Sequence, residues 1–367
     1  MQVKNNYKEC ITNLACSIRK YFDLSYTHNT LEYIDTLLEE KKPNNVVVIL
    51  FDGMGSRILD RNLDKDSFFR RHKLKEITTI FPATTTAATV SIRTGLNPVE
   101  HGWLGWNMYI APIDKTITLF KDTLKGSYKV SKEFVSIKDK LVSKTIVDEI
   151  NEKGEYHARE LFPFGPGKYK NLDDMLNIIK TETETPGKKY IFAYDDQPDY
   201  SMHDLGPDAE EVVNLIKIRN DRVEELCKNL KDTLVIVIAD HGHLKCDHIY
   251  LKDNPALKDL LARTTSLEQR ATSFKVKERK KEEFIEEFNK SLGNYFTLYS
   301  KEEIIASKLF GEGEQNELFE SALEDFIAIA ESSNKCLIDD GDEVLFSHHA
   351  GYTDDEIYIP LIVVDRK

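Results

Sequence analysis

Three short apolar runs that end in acidic residues are the clearest pattern along the chain. They read VVVILFDGMG from residue 46, KKYIFAYDDQPD from residue 188 and TLVIVIADHGH from residue 233. A run of this length that stops at turn-forming residues predicts a strand buried on both faces of a sheet. A fourth run, YIPLIVVD from residue 358, predicts another strand near the C-terminus.

Helical periodicity fills the segments between these runs. One predicted helix near the N-terminus carries apolar side chains three and four residues apart, at Ile11, Leu14, Ile18 and Phe22. A second, over residues 208–230, has its expected core positions at Val212, Leu215, Ile216 and Ile218. Strands that alternate with helices predict an α/β fold, a doubly wound and mostly parallel sheet with helices on both faces.

Two segments, residues 108–185 and 245–345, are richer in loops and charged residues than the rest. We interpret them as insertions that form a cap or lid on a single α/β domain spanning residues 1–367. No internal repeat interrupts this organisation.

Composition narrows the function classes. The 367 residues carry a net charge of −13, and such an acidic chain offers no broad basic face for nucleic acid. Five scattered cysteines without CxxC spacing argue against a disulfide framework or a zinc ribbon. No apolar run approaches the roughly 20 residues that span a bilayer, and the first ten residues lack a signal-peptide core. We therefore expect a cytoplasmic protein without a membrane partner; the oligomeric state stays open.

Acidic and histidine side chains follow the predicted strands where parallel strands end together. They are Asp52, the pair Asp199 and His203, and the pair Asp240 and His241, joined near the C-terminus by His348 and His349. Carboxylate oxygen and imidazole nitrogen are ligands for zinc, manganese or iron. Three carboxylates and three imidazoles, counting one of the competing neighbours His348 and His349, exceed one tetrahedral site and fit two ions with open positions.

A threonine-rich stretch, FPATTTAATVSIRTGLNPVEHG from residue 81, offers a nucleophile for such a site. Two ions about 3.5–4 Å apart can stabilise both the attacking and the leaving oxygen of a phosphoryl transfer. A threonine hydroxyl next to one ion becomes a usable alkoxide. Thr84, Thr85 and Thr86 all qualify, although the start of a helix also needs one hydroxyl as a cap.

Other function classes remain as alternatives. Asp52 before Gly53 is also an ordinary turn, and Gly53-Met54-Gly55 after a strand is a fragment of a dinucleotide-binding fingerprint. The third glycine of that fingerprint would fall on Ile58, which disfavours it. A metal-binding protein without catalysis is a further alternative, and substitution of Thr85 separates it from an enzyme.

Five motifs follow one another over residues 46–364: VVVILFDGMG, FPATTTAATVSIRTGLNPVEHG with GWNMY, DDQPDYSMHDLGP, VIVIADHGH and HHAGYTDDEIYIPLIVV. In this order they resemble the type I phosphodiesterase and nucleotide pyrophosphatase branch of the alkaline phosphatase superfamily. The resemblance implies that Asp52, Asp240 and His241 hold the ion that activates the nucleophile. Asp199, His203 and His349 would hold the second ion, and Thr85 would form a phosphothreonine intermediate.

Two positions depart from the branch. Its usual Thr-Phe-Pro-Asn is Thr85-Thr86-Ala87-Ala88 here, which removes the aromatic side chain that would stack on a nucleobase. The phosphate-binding asparagine of the family aligns with Trp106, and Asn107 is the nearest amide. We expect Asn107 to bind phosphate and Trp106 to line the substrate site.

Several neighbouring residues have weaker assignments. Trp103 is as well explained by packing as by substrate contact. We expect His243, Asp247 and His248 at the surface or outside the direct metal ligands.

The resemblance implies a two-metal hydrolase of phosphodiesters or pyrophosphates. The alternative is a phosphomonoesterase, phosphonate hydrolase or phosphotransferase with the same site. The Cys-x-Pro-x-Arg motif of sulfatases is absent from the sequence, and the related phosphomutases use serine.

Overall fold

The computed structural model describes residues 4–367, in which two large sheets and their helices account for most of the chain. The strands are β1 (Asn45–Phe51), β2 (Lys73–Thr78), β3 (Asn107–Ile110), β4 (Lys115–Thr118), β5 (Thr123–Leu124), β6 (His157–Leu161), β7 (Lys189–Asp195), β8 (Thr233–Ile238), β9 (Leu244–Lys245), β10 (Asp247–Tyr250), β11 (Ser266–Leu267), β12 (Ala271–Phe274), β13 (Thr297–Ser300), β14 (Phe326–Ile329), β15 (Lys335–Ile338), β16 (Ser347–His348) and β17 (Tyr358–Arg366). The α-helices are α1 (Ile11–Tyr21), α2 (Glu32–Lys41), α3 (Ser56–Asn62), α4 (Phe68–His72), α5 (Thr85–Thr94), α6 (Pro98–His101), α7 (Lys132–Val135), α8 (Ile146–Lys153), α9 (Leu172–Thr183), α10 (Asp199–Leu205), α11 (Glu210–Asn229), α12 (Pro255–Lys258), α13 (Lys281–Ser291), α14 (Lys301–Ser307), α15 (Phe319–Ala322) and α16 (Asp354–Ile357).

The central sheet has six strands in the order β2-β17-β8-β1-β7-β6. β1 lies between β8 and β7 and pairs with both in parallel, and β6 extends the parallel set beyond β7. Every residue of β1, β7 and β8 is buried, as expected for strands covered by helices on both faces. The predicted α/β fold with a mostly parallel sheet is confirmed.

The C-terminal strand β17 runs antiparallel to both of its neighbours, β8 and β2. A parallel neighbour would need a crossover of a dozen or more residues from one edge of the sheet to the other. Here only α16 separates the HHAGYT segment, at the carboxyl edge, from the first residue of β17. The strand therefore starts at that edge and runs the opposite way.

The two predicted helices are present, with one error in the core of the second. Ile11, Leu14, Ile18 and Phe22 are fully buried on or beside α1. In α11, Val212 and Ile216 are buried, Leu215 is half-buried and Ile218 is 48 % exposed. The buried face continues from Ile216 to Arg219, Asn220 and Val223, because positions four and seven residues on return to the same side of a helix.

A second, seven-stranded sheet has the order β13-β14-β12-β11-β3-β4-β5. Its strands come from within residues 107–124 and 266–329, and antiparallel pairing of Leu267 with Asn107 joins the two sets. The segment 108–185 also supplies β6 to the central sheet, so it contributes to both sheets. Within residues 4–367, no helix combines the length and the apolar character needed to cross a membrane.

Candidate active site

The carboxyl ends of β7, β1 and β8 carry the acidic side chains predicted from sequence. Asp52 directly follows β1, Asp240 lies two residues beyond β8, and Asp199 begins α10 four residues after β7. Leu50 of β1 pairs with Tyr194 and with Ile238, so the three strands reach this edge in register. The sheet therefore delivers all three carboxylates to one place.

The first ligand group consists of Asp52, Asp240 and His241, all buried, with ligand atoms within 4.8 Å of one another. His241 Nε2 lies 3.3 Å from Asp52 Oδ1 and 3.5 Å from Asp240 Oδ2. The backbone N–H groups of Gly53 and His241 donate to Asp240 Oδ1, each at 3.0 Å. These bonds fix the carboxylate and leave its other oxygen for a cation.

Thr85 is the one threonine of the three whose hydroxyl contacts this group. It is the first residue of α5, and its Oγ1 lies 3.0 Å from His241 Nε2 and 3.3 Å from Asp52 Oδ1. Thr84 instead donates to Glu268 Oε1 at 2.7 Å, and Thr86 is fully buried elsewhere. The helix start thus aims a single hydroxyl at the first ligand group.

The second ligand group consists of Asp199, His203 and His349. One helical turn separates Asp199 from His203 on α10, and His203 Nε2 lies 3.2 Å from Asp199 Oδ2. His349 follows β16 and places its Nε2 4.0 Å from Asp199 Oδ1. The rings of His349 and His241 stack with centroids 3.8 Å apart, which joins the two groups into one site.

The hydrogen bonds of the imidazoles identify which ring nitrogens can bind a cation. Each of the three rings has its Nδ1 next to a backbone carbonyl: His241 at 3.0 Å from Gly242, His203 at 2.9 Å from Ser347 and His349 at 3.2 Å from Ala83. Because a carbonyl oxygen only accepts, Nδ1 carries the proton and Nε2 presents a lone pair. His348 is the reverse, since its Nδ1 accepts from the backbone N–H of His349 at 3.1 Å. This difference favours His349 over its neighbour as a ligand.

The electrostatics of the site fit cations. Burial raises the pKa of Asp52, and the nearby carboxylates Asp240 and Asp199 raise it further. Burial lowers the pKa of His241, but Asp240 and Asp52 outweigh this and raise it to about 10. Asp199 Oδ1 and Asp240 Oδ2 are buried without a hydrogen-bond donor among the described residues. The surplus of negative charge that holds a proton on His241 also attracts a divalent cation, which would displace that proton on binding.

The distances in the first group agree with one tetrahedral ion. Two atoms that bind the same zinc at about 2.0–2.1 Å lie about 3.3 Å apart. His241 Nε2 lies 3.0–3.5 Å from Thr85 Oγ1, Asp52 Oδ1 and Asp240 Oδ2. The residues present therefore have the donor atoms that a metal ion needs, at fitting distances from His241.

Glu268 connects the threonine segment to Trp106, the residue before the predicted phosphate-binding Asn107. Its Oε1 accepts from Thr84 Oγ1 and from the backbone N–H of Trp106, both at 2.7 Å. Asn107 begins β3, and its Oδ1 accepts from Thr118 Oγ1 at 2.7 Å, which orients the amide. Trp106 and Asn107 are both half-buried, so their side chains remain accessible.

Sequence reasoning missed two residues of this site. Tyr194, inside β7, donates its buried phenol hydroxyl to Asp52 Oδ2. Glu268 lies in the turn between β11 and β12, far from any recognised motif, and nothing in its local sequence distinguishes it.

The structure places three residues that had weaker assignments. Trp103 is almost fully buried and donates its Nε1–H to the carbonyl of Val142 at 2.8 Å, which is a packing role. His243 is fully buried beside Asp199, which excludes the surface position and leaves the other expected position, outside the direct metal ligands, as a prediction. Asp247 is exposed and pairs with Lys335.

Comparison with known proteins agrees with the fold and shows the family. A family model described as type I phosphodiesterase/nucleotide pyrophosphatase matches residues 46–352. Murine ectonucleotide pyrophosphatase/phosphodiesterase 5, solved as an inactive threonine-to-alanine variant in complex with AMP, has a TM-score of 0.65 at 19 % identity over 87 % of both chains. The human protein of the same name gives 0.62 at 18 % identity, again over 87 % of both chains.

A bacterial structure shares the same fold. Phosphonoacetate hydrolase from Sinorhizobium meliloti 1021, in complex with phosphonoformate, has a TM-score of 0.63 at 15 % identity over 88 % of this chain and 90 % of that one. No curated protein sequence matches the chain significantly.

Proposed function

The chain belongs to the type I phosphodiesterase/nucleotide pyrophosphatase family and is a phosphoric ester hydrolase, and we propose that it cleaves phosphodiester or pyrophosphate bonds with Thr85 as the nucleophile. One observation carries the proposal: Thr85 Oγ1 lies at the start of a helix and within 3.3 Å of both Asp52 and His241. The inactive threonine-to-alanine variant of the murine neighbour is consistent with a nucleophilic threonine.

Two divalent ions belong to this proposal, zinc first, with manganese or iron as alternatives. Asp52, Asp240 and His241 would hold one ion. Asp199, His203 and His349 would hold the other. When bound, the ions would supply Lewis acidity that favours the threonine alkoxide and stabilises negative charge on the leaving oxygen.

The reaction proceeds in two displacements. The Oγ1 of Thr85 gives its proton to water and attacks phosphorus, the bond to the leaving oxygen breaks, that oxygen takes up a proton from water, and a phosphothreonine ester forms. A water molecule then attacks the same phosphorus, and the bond to Thr85 breaks. Two easier steps replace one difficult step, and the hydroxyl of Thr85 is regenerated.

Asn107 and Trp106 supply the contacts to the substrate in this proposal. The Oδ1 of Asn107 accepts from Thr118, which leaves the amide N–H groups to donate to a nonbridging phosphate oxygen. Donors held in place before the reaction stabilise the charge that develops at phosphorus. The half-buried indole of Trp106 offers an apolar wall next to that amide.

One observation favours the alternative of monoester or phosphonate hydrolysis. Thr86, Ala87 and Ala88 are fully buried and none of them is aromatic. This segment therefore offers no aromatic face on which a nucleobase could stack. A substrate with a small or non-aromatic leaving group suits such a segment.

The ratio of kcat/KM for an aryl phosphodiester to that for the matching monoester, with zinc or manganese supplied, distinguishes the two. We expect a ratio well above one. A ratio well below one would identify the protein as a phosphomonoesterase and would not contradict the proposed two-metal site.

A further inference from the structure

Glu268 places a carboxylate beside the proposed nucleophile and the proposed phosphate-binding amide. Its side chain is almost fully buried, and its Oε1 accepts from Thr84 Oγ1 and from the backbone N–H of Trp106, both at 2.7 Å. The residue before it, Leu267, pairs with Asn107 in the second sheet. Glu268 therefore contacts the chain neighbour of the nucleophile and the chain neighbour of the amide at the same time.

The second oxygen of this carboxylate is not used by the fold. Oε1 accepts two hydrogen bonds, whereas no donor among residues 4–367 binds Oε2. Oε2 is also not one of the fully enclosed side-chain oxygens that lack a partner. Because the polar atoms of buried side chains are otherwise satisfied, this open oxygen is free to act on a molecule that binds beside it.

Hydrogen bonding alone does not explain why a charged residue occupies this position. The side-chain oxygen of a glutamine would also accept from a hydroxyl and from an N–H group. A carboxylate adds a negative charge, and burial makes that charge costly. Burial raises the pKa of Glu268 to about 7, against the bonds from Thr84 and Trp106 and the charge of His241, which lower it.

The two substrate classes considered for this site differ in charge. A phosphodiester carries one negative charge, whereas a phosphomonoester carries two above its second pKa of about 6. A fixed carboxylate repels the doubly charged group more strongly. At an effective dielectric constant of about 20, one extra charge about 10 Å away is discriminated about tenfold, and a closer charge more strongly.

We propose that Glu268 selects singly charged phosphodiesters over monoesters by repelling the second negative charge of a monoester. This inference rests on the proposed function and deepens it, because it assigns the choice of substrate class to one residue. The competing interpretation is that Glu268 only positions Thr84 and Trp106. In that case its replacement would change the turnover of both esters by the same factor.

The test compares two esters with the same leaving group, methyl para-nitrophenyl phosphate and para-nitrophenyl phosphate. The readout is the ratio of kcat/KM for the diester to that for the monoester. Zinc-loaded protein at about pH 9 keeps both the carboxylate and the monoester ionised. Glu268→Gln keeps the acceptor and removes the charge, so it should lower the ratio about tenfold, chiefly by raising kcat/KM for the monoester.

Two control variants separate charge from position. Thr84→Val removes the hydroxyl bonded to Oε1 and keeps the carboxylate, so the ratio should stay unchanged even where both rates fall. Glu312→Gln removes an exposed negative charge paired with Lys308 and should also leave the ratio unchanged. If Glu268→Gln does not fold, Glu268→Ala removes the same charge, and the ratio is measured on that variant instead.

The outcomes separate this inference from the proposed function. An unchanged ratio in the charge-removing variant of Glu268 would overturn the inference, and so would an equal fall in Thr84→Val. A ratio well below one in the unaltered chain would contradict the proposed diesterase, and the change between proteins would still decide the role of Glu268. Absence of turnover of both esters would contradict the proposed function and, with it, this inference.

Discussion

The buried ion pair between Arg270 and Glu356 gives a prediction whose size follows from the structure. Both side chains are fully buried, and two parallel bonds join them at 2.7 and 2.9 Å. The carboxylate also accepts from the backbone N–H of Gly351 at 2.6 Å, and the backbone carbonyl of Glu356 accepts from Gly242 at 2.8 Å. The pair therefore holds the loops that carry His349 and His241.

The change Glu356→Gln keeps the volume and removes the charge. The guanidinium of Arg270 then stays in the interior without a counter-ion, a situation that costs about 3–5 kcal/mol. This is a large part of the roughly 5–15 kcal/mol by which proteins of ordinary stability are folded. We expect urea unfolding at pH 7 and fixed metal concentration to show a lower midpoint with an unchanged slope.

The exposed pair between Lys308 and Glu312 is the control. Its atoms lie 2.6 Å apart on the surface, where water and salt screen the charges. The change Glu312→Gln should leave the urea midpoint unaltered. A loss below about 1 kcal/mol for Glu356→Gln would refute the view that an uncompensated buried charge governs this region.

Acid should reduce the difference between the unaltered chain and Glu356→Gln. Burial raises the pKa of Glu356, but Arg270 outweighs burial and holds that pKa below its usual value. A lowered pKa in the folded state means that the stabilisation is present above the unfolded pKa and is lost as the pH falls. Equal midpoint differences at pH 7 and pH 4 would contradict this assignment.

Three further predictions concern the site and its surroundings. Thr85→Ala should lower kcat by about 10³-fold or more while zinc content, measured by mass spectrometry, is unchanged; retained turnover would remove Thr85 from the chemistry. Glu268→Leu should lower kcat/KM by breaking the bonds to Thr84 and Trp106, whereas Glu268→Gln keeps an acceptor and should be closer to the unaltered enzyme. Burial lowers the pKa of His101 from 6.5 to about 3, so folding stability should fall by up to about 2 kcal/mol between pH 6.5 and 5 as the unfolded state takes up a proton. His101→Gln should flatten that slope in urea titrations.

The ends of the parallel strands were predictable because the residue that follows each apolar run in the sequence also lies at the carboxyl edge of the sheet. An apolar run that stops at Asp52 or Asp240 gives both the strand and the edge at which the side chain emerges. The spacing of four residues between Asp199 and His203 likewise predicts that both side chains lie on the same face of a helix. These positions need only local rules, which a single sequence contains.

Other features depend on contacts between distant segments, and no local pattern encodes them. Glu268 reaches the threonine segment from 184 residues away, and the direction of β17 follows from the short path after His349. The choice between His348 and His349 depends on which ring nitrogen meets a backbone donor or acceptor. The buried position of His243 depends on Ser347 in the same manner.

The predicted cytoplasmic location and the zinc identity stay predictions. The zinc identity can be tested by removing the metal with a chelator and then adding back one kind of metal ion at a time. Activity should be lost on removal of metal and return with zinc, and recovery with magnesium alone would contradict the ligand chemistry.

The stereochemical course at phosphorus tests the central claim most directly. A phosphorothioate diester of known configuration, hydrolysed in ¹⁸O-labelled water, gives a product whose configuration is read by phosphorus NMR. Two successive in-line displacements, first by Thr85 and then by water, predict net retention. Net inversion would mean that water attacks the substrate directly, and it would contradict the phosphothreonine intermediate.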